Sequence, residues 1–173
     1  MVFGRTESWS VMRASPTALR IAAALSVLSL AAVVYVVDRP ASSLPAGLAA
    51  LGIHARGLGV LGPFAGWFPT FAHAFAFALL TAVAVGSTSR IAGALACLAW
   101  LLVDGVFELA QHPTLSREIA ALARDRLADN LILDRTARYL AGGTFDLSDL
   151  ASIVAGALAA FLVFLTTRWE HSS

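Results

Sequence analysis

Acidic and imidazole side chains interrupt the apolar stretches of this chain at only a few positions, and one cluster stands out. The apolar run 91–110 carries Asp104 and Glu108, and Gln111 and His112 follow it. Steps of three and four residues place these four side chains on one face of a helix. Carboxylates beside a histidine can do acid–base chemistry, bind a metal ion or hold a polar ligand.

Two other segments supply polar groups of the same kinds. His73 lies near the start of the apolar run 66–85, and Asp146 and Asp149 lead into the run 147–167. Simpler roles stay open, because a lone histidine is often a hydrogen-bonded structural residue and acids favour helix N-termini. We predict that one polar ligand-binding site is formed by His73, Asp104, Glu108, Gln111, His112, Asp146 and Asp149.

The catalytic role of these residues is left open, and neither a metal ion nor a cofactor is predicted. The histidines and acids follow no recognised metal-binding spacing. No nucleophile motif such as Gly-x-Ser-x-Gly occurs either. These patterns favour a protein that is not an enzyme, although they do not decide the question.

The elements that position these residues follow from the composition. The chain has 173 residues, of which 58% are hydrophobic and only 13% charged, and its mean hydropathy is +0.78. An average soluble domain has about 25% charged residues. A soluble fold of this length would have too few polar residues to cover its surface. We therefore predict an all-α integral membrane protein, a four-helix transmembrane bundle. The net charge of +1 indicates no nucleic-acid partner.

Four apolar runs are long enough to cross a hydrocarbon core of about 30 Å at about 1.5 Å per residue. They predict a membrane domain over 17–169 with spans at about 17–37, 66–85, 91–110 and 147–167. Residues 1–16 form an N-terminal segment and 170–173 a tail. The first run could instead be a signal peptide. It is longer than a usual signal core and ends in the poor cleavage sequence Asp38-Arg39-Pro40, so we predict a retained helix.

The one long polar segment separates the third and fourth spans. Over 116–139, apolar residues recur at mainly helical spacing with arginines and aspartates between them. This pattern predicts an interfacial amphipathic helix. A solvated helix that packs on the bundle is the alternative.

The last span carries two series of small residues at intervals of four. Ser152, Gly156 and Ala160 form one series, and Ala151, Ala155 and Ala159 form the other. Such spacing lets helix backbones approach closely. Plain alanine-rich composition would produce the same pattern.

Alternation of the spans brings the polar residues to one end of the bundle. The start of the second span, the end of the third and the start of the fourth lie on the same membrane side, so their polar residues can form one mouth. Arg5, Arg13 and Arg20 precede the uncharged run from Ile21 to Val37 and predict a cytoplasmic N-terminus, which turns the mouth outward. The two loops on the opposite side hold seven further arginines, which count against this orientation.

Three segments resemble the VanZ-like family of small bacterial membrane proteins. The stretch FPTFAHAFAFALLT resembles the family's second helix, with His73 as its histidine. FELAQHP resembles a Glu-x-x-Gln element formed by Glu108 and Gln111, and GTFDLSDLASIVAGALAAFL resembles the start of the fourth helix. In that last stretch the matching positions are Phe145, Asp149 and Gly156.

The sequence departs from the family pattern at several positions. Pro69 and Thr70 stand where the family often has Asp-Lys, Gly143 stands where it often has Arg, and Ile153 stands where it often has Asn. The resemblance implies a tetraspan protein of the bacterial inner (plasma) membrane. The family takes its name from a protein linked to glycopeptide-antibiotic resistance, and most members have no defined activity.

Three functions agree with these patterns. The first is binding of a membrane lipid or a glycopeptide-like envelope ligand at the polar mouth. The second is a small intramembrane enzyme that acts on lipid headgroups. The third is ion- or proton-coupled transport with Asp104 as the ion site, which would need a homo-oligomer because four spans are few for a transporter.

Overall fold

The structure, a computed structural model, describes residues 15–38, 58–86, 88–126, 136–137, 139–140 and 142–167. Within these ranges the fold is all-helical and contains no strand. Its five helices are α1 (Pro16–Asp38), α2 (Pro63–Ala84), α3 (Arg90–Ala110), α4 (Pro113–Arg126) and α5 (Leu147–Thr166). Helices α1, α2, α3 and α5 are long and apolar enough to cross a membrane. The predicted all-α class with four spanning helices is confirmed, and the chain is a multi-pass membrane protein.

Local signals fix where the spans begin. Pro63 opens α2 directly after Gly62, whose φ is 51°. The Ser89 hydroxyl caps α3 by accepting a hydrogen bond of 3.2 Å from the backbone N–H of Ile91. The Asp146 carboxylate caps α5 in the same way, with a hydrogen bond of 2.8 Å from the N–H of Ser148.

Helix α2 is the central helix of the bundle, since it packs against α1, α3 and α5. Small side chains on its surface, such as the buried Ala72, Ala74, Ala76 and Ala78, allow three neighbours to approach. Helix α3 also packs against α5, whereas α1 and α3 do not pack against each other along their lengths. This arrangement leaves a gap between α1 and α3 on one side of α2.

Only one of the two small-residue series of the last span is buried throughout. Ser152, Gly156 and Ala160 are buried, whereas Ala151 and Ala155 are exposed. A Cβ atom added at Gly156 would lie 2.5 Å from the backbone oxygen of Phe71 in α2. The close contact between α5 and α2 therefore depends on the absence of a side chain at this position.

Arg20 is part of the bundle core rather than a free basic flank. Its side chain is only 4% exposed. Its Nε donates a hydrogen bond of 2.9 Å to the Thr167 hydroxyl, and a terminal nitrogen donates one of 3.4 Å to the Phe164 carbonyl. The guanidinium also lies 4.1 Å from the centre of the Phe164 ring. Arg20 thereby joins the start of α1 to the end of α5.

The helix predicted over 116–139 begins three residues earlier in the structure. Pro113 occupies the first turn of α4, where its missing N–H needs no partner. The described helix runs to Arg126, and residues 127–135 lie outside the described residues. On its surface Ser116 is buried and Leu122 is exposed.

Candidate functional site

A groove with a volume of 610 Å³ lies between α1 and α3, with α2 behind it. Most of its wall is apolar, as with Leu28 of α1, Val103 of α3 and Ile153 of α5. We call this feature the groove. Its polar lining consists of Tyr35, Thr70, His73, Trp100, Asp104, Glu108, Gln111 and Tyr139.

An acid–histidine pair occupies the groove wall. Nδ1 of His73 in α2 lies 2.9 Å from Oδ1 of Asp104 in α3. The imidazole is also held by aromatic rings, with its centre 4.4 Å from that of Phe77 and 5.5 Å from that of Trp100. The His73 side chain is 46% exposed and that of Asp104 only 10%. A largely buried carboxylate therefore orients an imidazole that faces the groove.

The second oxygen of Asp104 is the unusual atom of the site. Oδ2 is buried and has no hydrogen-bond partner among the parts of the chain that the structure describes. A buried polar group without a partner costs about 1–3 kcal/mol, and more when it is charged. Such a group calls for an explanation, such as a catalytic role or a bound water or ion.

Glu108 lies one turn beyond Asp104 and connects two spans. It is 6% exposed, and its Oε1 accepts a hydrogen bond of 2.7 Å from the backbone N–H of Asp146. Asp146 in turn caps α5 with its side chain. The carboxylate of Glu108 thus contacts the groove and anchors the beginning of the last span.

Gln111 and His112 end the polar face of α3 in different ways. Gln111 lines the groove, and its side chain occupies the space where a side chain at position 143 would lie. A larger residue at position 143 would therefore displace the Gln111 side chain from its present position. The His112 ring lies edge-on to that of Phe145, with centres 5.4 Å apart, and His112 is not part of the groove lining.

Asp149 joins the spans without lining the groove. Its Oδ1 accepts a hydrogen bond of 3.1 Å from the Thr70 hydroxyl, which does line it. The structure therefore brings four predicted residues into the groove, namely His73, Asp104, Glu108 and Gln111. Asp146 and Asp149 stand behind it, each one hydrogen bond away, and His112 lies apart.

Helix α1 contributes residues to the groove that the sequence reasoning did not include. Leu28, Ala31, Ala32 and Tyr35 form its wall opposite α3. Tyr35 carried a usable signal, because it is an aromatic residue with a polar hydroxyl inside an otherwise apolar span. The alanines and the leucine carried none, since such residues face lipid as readily as protein.

Apart from the His73 imidazole, the ionisable side chains described in the groove lining are acidic. Among the described lining residues there are two carboxylates and one histidine, and no arginine. Within the described ranges no group of three or more His, Cys, Asp and Glu residues could hold a metal ion. The described ionisable side chains of the groove are therefore mainly acidic.

Comparison with known proteins identifies no relative, since no protein-family model, curated protein or solved structure matches this chain.

Proposed function

We propose that this chain is a VanZ-like membrane protein that binds an envelope lipid, or the lipid-like part of a glycopeptide-like ligand, in the groove. One observation carries the proposal: an apolar-walled groove between two spanning helices contains an acid–histidine pair whose carboxylate is largely buried. Ionisable residues inside spans cost at least about 2.5–3.5 kcal/mol each at the helix centre on insertion scales, so they mark functional sites.

The size and lining of the groove favour an amphiphilic ligand. Its 610 Å³ fall within the range of about 300–1,000 Å³ that is typical of small-molecule sites. Apolar residues of α1 and α3 suit an alkyl chain, and His73, Asp104 and Glu108 suit a polar headgroup. A lipid offers both parts in one molecule.

The proposed location is the bacterial inner membrane with a cytoplasmic N-terminus. The three segments that resemble the VanZ-like family support a location in the bacterial inner membrane. The arginines before α1 support the cytoplasmic N-terminus. The groove would then open toward the outer leaflet. Reporter fusions after Arg56, Arg90, Asp134 and Ser173 test this, with the first and third expected outside and the others inside. The inverted pattern would turn the groove toward the cytosol and remove the envelope ligand from the proposal.

Lipid binding can be tested by filling the groove. Ala32 lines the groove, whereas the equally exposed Ala22 of the same helix does not. We expect native mass spectrometry of the wild-type protein to show lipid retained after mild detergent extraction. The substitution Ala32→Trp should remove that lipid and Ala22→Trp should retain it. Absence of retained lipid in the wild type, or equal retention in both variants, would contradict the proposal.

A second candidate function rests on the geometry of His73. With Nδ1 directed at Asp104, its Nε2 is left to act as a general base toward a headgroup in the groove. The alternative is therefore an intramembrane enzyme acting on lipid headgroups. Vesicles of phosphatidylethanolamine and phosphatidylglycerol, incubated with the protein and analysed by mass spectrometry, should yield a product that His73→Gln abolishes. Unchanged lipids would exclude this activity for these two headgroups.

A further inference from the structure

We infer that the groove selects amphiphiles whose headgroup carries a protonated primary or secondary amine. This inference rests on the proposed function and specifies its ligand class. Its centre is the unpartnered Oδ2 of Asp104, on a side chain that is nine-tenths buried.

The hydrogen-bonding atoms that the acid–histidine pair presents to a ligand are acceptors. When Asp104 is ionised, the Nδ1–H of His73 donates to Oδ1, which leaves Nε2 of the same ring as an acceptor. Oδ2 of Asp104 is a second acceptor without a donor in the described part of the chain. A ligand that satisfies these atoms must bring N–H or O–H groups.

The charge of the lining favours a cationic donor over a neutral or anionic one. Asp104 and Glu108 both line the groove, and none of the described lining residues is an arginine. A phosphate or carboxylate headgroup would meet these acids with no arginine among the described lining residues to balance its charge. Hydrogen bonds between a cation and a carboxylate are about twice as strong as neutral ones.

Aromatic rings give further support for a cation. Tyr35 and Tyr139 line the groove, as do Trp100 and Phe107. Ring faces attract ammonium groups, and the attraction is strongest where water is displaced. Asp104 and His73, however, present acceptors, so the ligand must carry a hydrogen-bond donor. A protonated amine has such a donor and a quaternary ammonium group does not.

Three probes with the same dodecyl chain separate these contributions. Dodecylamine carries a charge and N–H donors, dodecyltrimethylammonium carries the charge without a donor, and dodecanol carries a donor without charge. Each is titrated into the full-length protein in lauryldimethylamine N-oxide, a detergent without hydrogen-bond donors, and the bound probe is counted by native mass spectrometry. We expect dodecylamine to bind at least about tenfold more tightly than either of the others.

Two variants test whether Asp104 causes the preference for dodecylamine. Asp104→Asn should remove the preference for dodecylamine, so that this probe binds no more tightly than the other two. Glu118→Gln is the matched control, because Glu118 is an exposed acid of α4 outside the groove lining, and it should keep the preference. The comparison of probes in the wild-type protein needs no variant, so a variant that fails to fold leaves the test intact.

The outcomes distinguish this inference from the proposed function. Equal binding of all three probes would overturn the amine preference and leave lipid binding standing. Equal binding of dodecylamine and dodecyltrimethylammonium, both above dodecanol, would overturn the role of Asp104 and His73 as acceptors. No binding of any probe would count against the proposed function itself.

Discussion

Glu108 of α3 accepts a hydrogen bond of 2.7 Å from the backbone N–H of Asp146, the residue that caps α5. One buried carboxylate therefore fixes the end of the third span against the beginning of the fourth. The same residue lines the groove, so its structural role and its proposed ligand-binding role must be separated by experiment.

Two substitutions at Glu108 test its structural role. Glu108→Ala leaves the N–H of Asp146 without its acceptor, and we expect the free energy of unfolding to fall by about 1–3 kcal/mol. Glu108→Gln keeps an acceptor oxygen and should lose less than half of that. Sodium dodecyl sulfate titration of the purified protein, followed by circular dichroism, measures both. Equal losses in the two variants would show that the negative charge, rather than the hydrogen bond, stabilises this contact.

The pair formed by His73 and Asp104 should be coupled energetically. We expect a double-mutant cycle of His73→Ala and Asp104→Ala to give a coupling energy of about 1–3 kcal/mol, because either single change leaves a polar partner without its hydrogen bond. The same unfolding titration supplies the values. As a control, His73→Ala combined with Glu118→Ala should be additive within about 0.5 kcal/mol. A coupling energy near zero would mean that the 2.9 Å contact does not contribute to stability.

A methyl group at Gly156 should weaken the contact between α5 and α2. Its Cβ would approach the Phe71 backbone oxygen to 2.5 Å, and a backbone atom can move only if the helix shifts. We expect Gly156→Ala to lower the free energy of unfolding by about 1–3 kcal/mol. Gly105→Ala is the control, since in the described part of the chain no heavy atom beyond its chain neighbours and its own helix backbone lies within 4 Å of the added Cβ. That variant should be unchanged, or more stable by up to about 1 kcal/mol through helix propensity.

Arg20 should stabilise the bundle although it is charged. Arg20→Ala removes two hydrogen bonds and the contact with the Phe164 ring, so we expect a loss of about 2–3 kcal/mol. Arg90→Ala, which removes an exposed arginine at the start of α3, should change stability by less than about 0.5 kcal/mol. Thermal unfolding in detergent measures both variants. Similar midpoints for the two would refute a structural role for Arg20.

The spans could be predicted from the sequence because a bilayer imposes a simple condition. A segment that crosses hydrocarbon must be long, apolar and helical, and Ile21 to Val37 contains no charged residue at all. The grouping of Asp104 and Glu108 on one helix face followed from their spacing, and so did their position at the same end of the bundle as His73. These inferences need only the helical period and the alternation of spans.

The rotation of each span about its own axis could not be predicted in the same way. In a soluble helix the polar face identifies the surface, whereas the lipid-facing and protein-facing sides of α1 are equally apolar. The contribution of Ala32 and Tyr35 to the groove was therefore missed. The same ambiguity applied to α5, where Gly156 is buried and Ala155, its neighbour, is exposed.

The position of Arg20 was misjudged for a related reason. An arginine just before an apolar run is typical of a cytoplasmic flank, and the rule for orientation counts it as such. The structure includes it in α1 and buries it against Phe164 and Thr167. Its partners lie at the other end of the sequence, so no local pattern could have indicated them.

Under the proposed lipid binding, the gap between α1 and α3 would determine from which phase a ligand arrives. A molecule that enters between two spans diffuses in from the surrounding leaflet, and its solubility in water has no bearing on access. Occupancy then follows the mole fraction of that lipid among its neighbours rather than an aqueous concentration. Since a membrane component is already confined to a thin layer around the protein, an intrinsically weak contact can remain nearly saturated. A small change in the lipid composition of the bilayer would then change the fraction of protein that has a lipid bound.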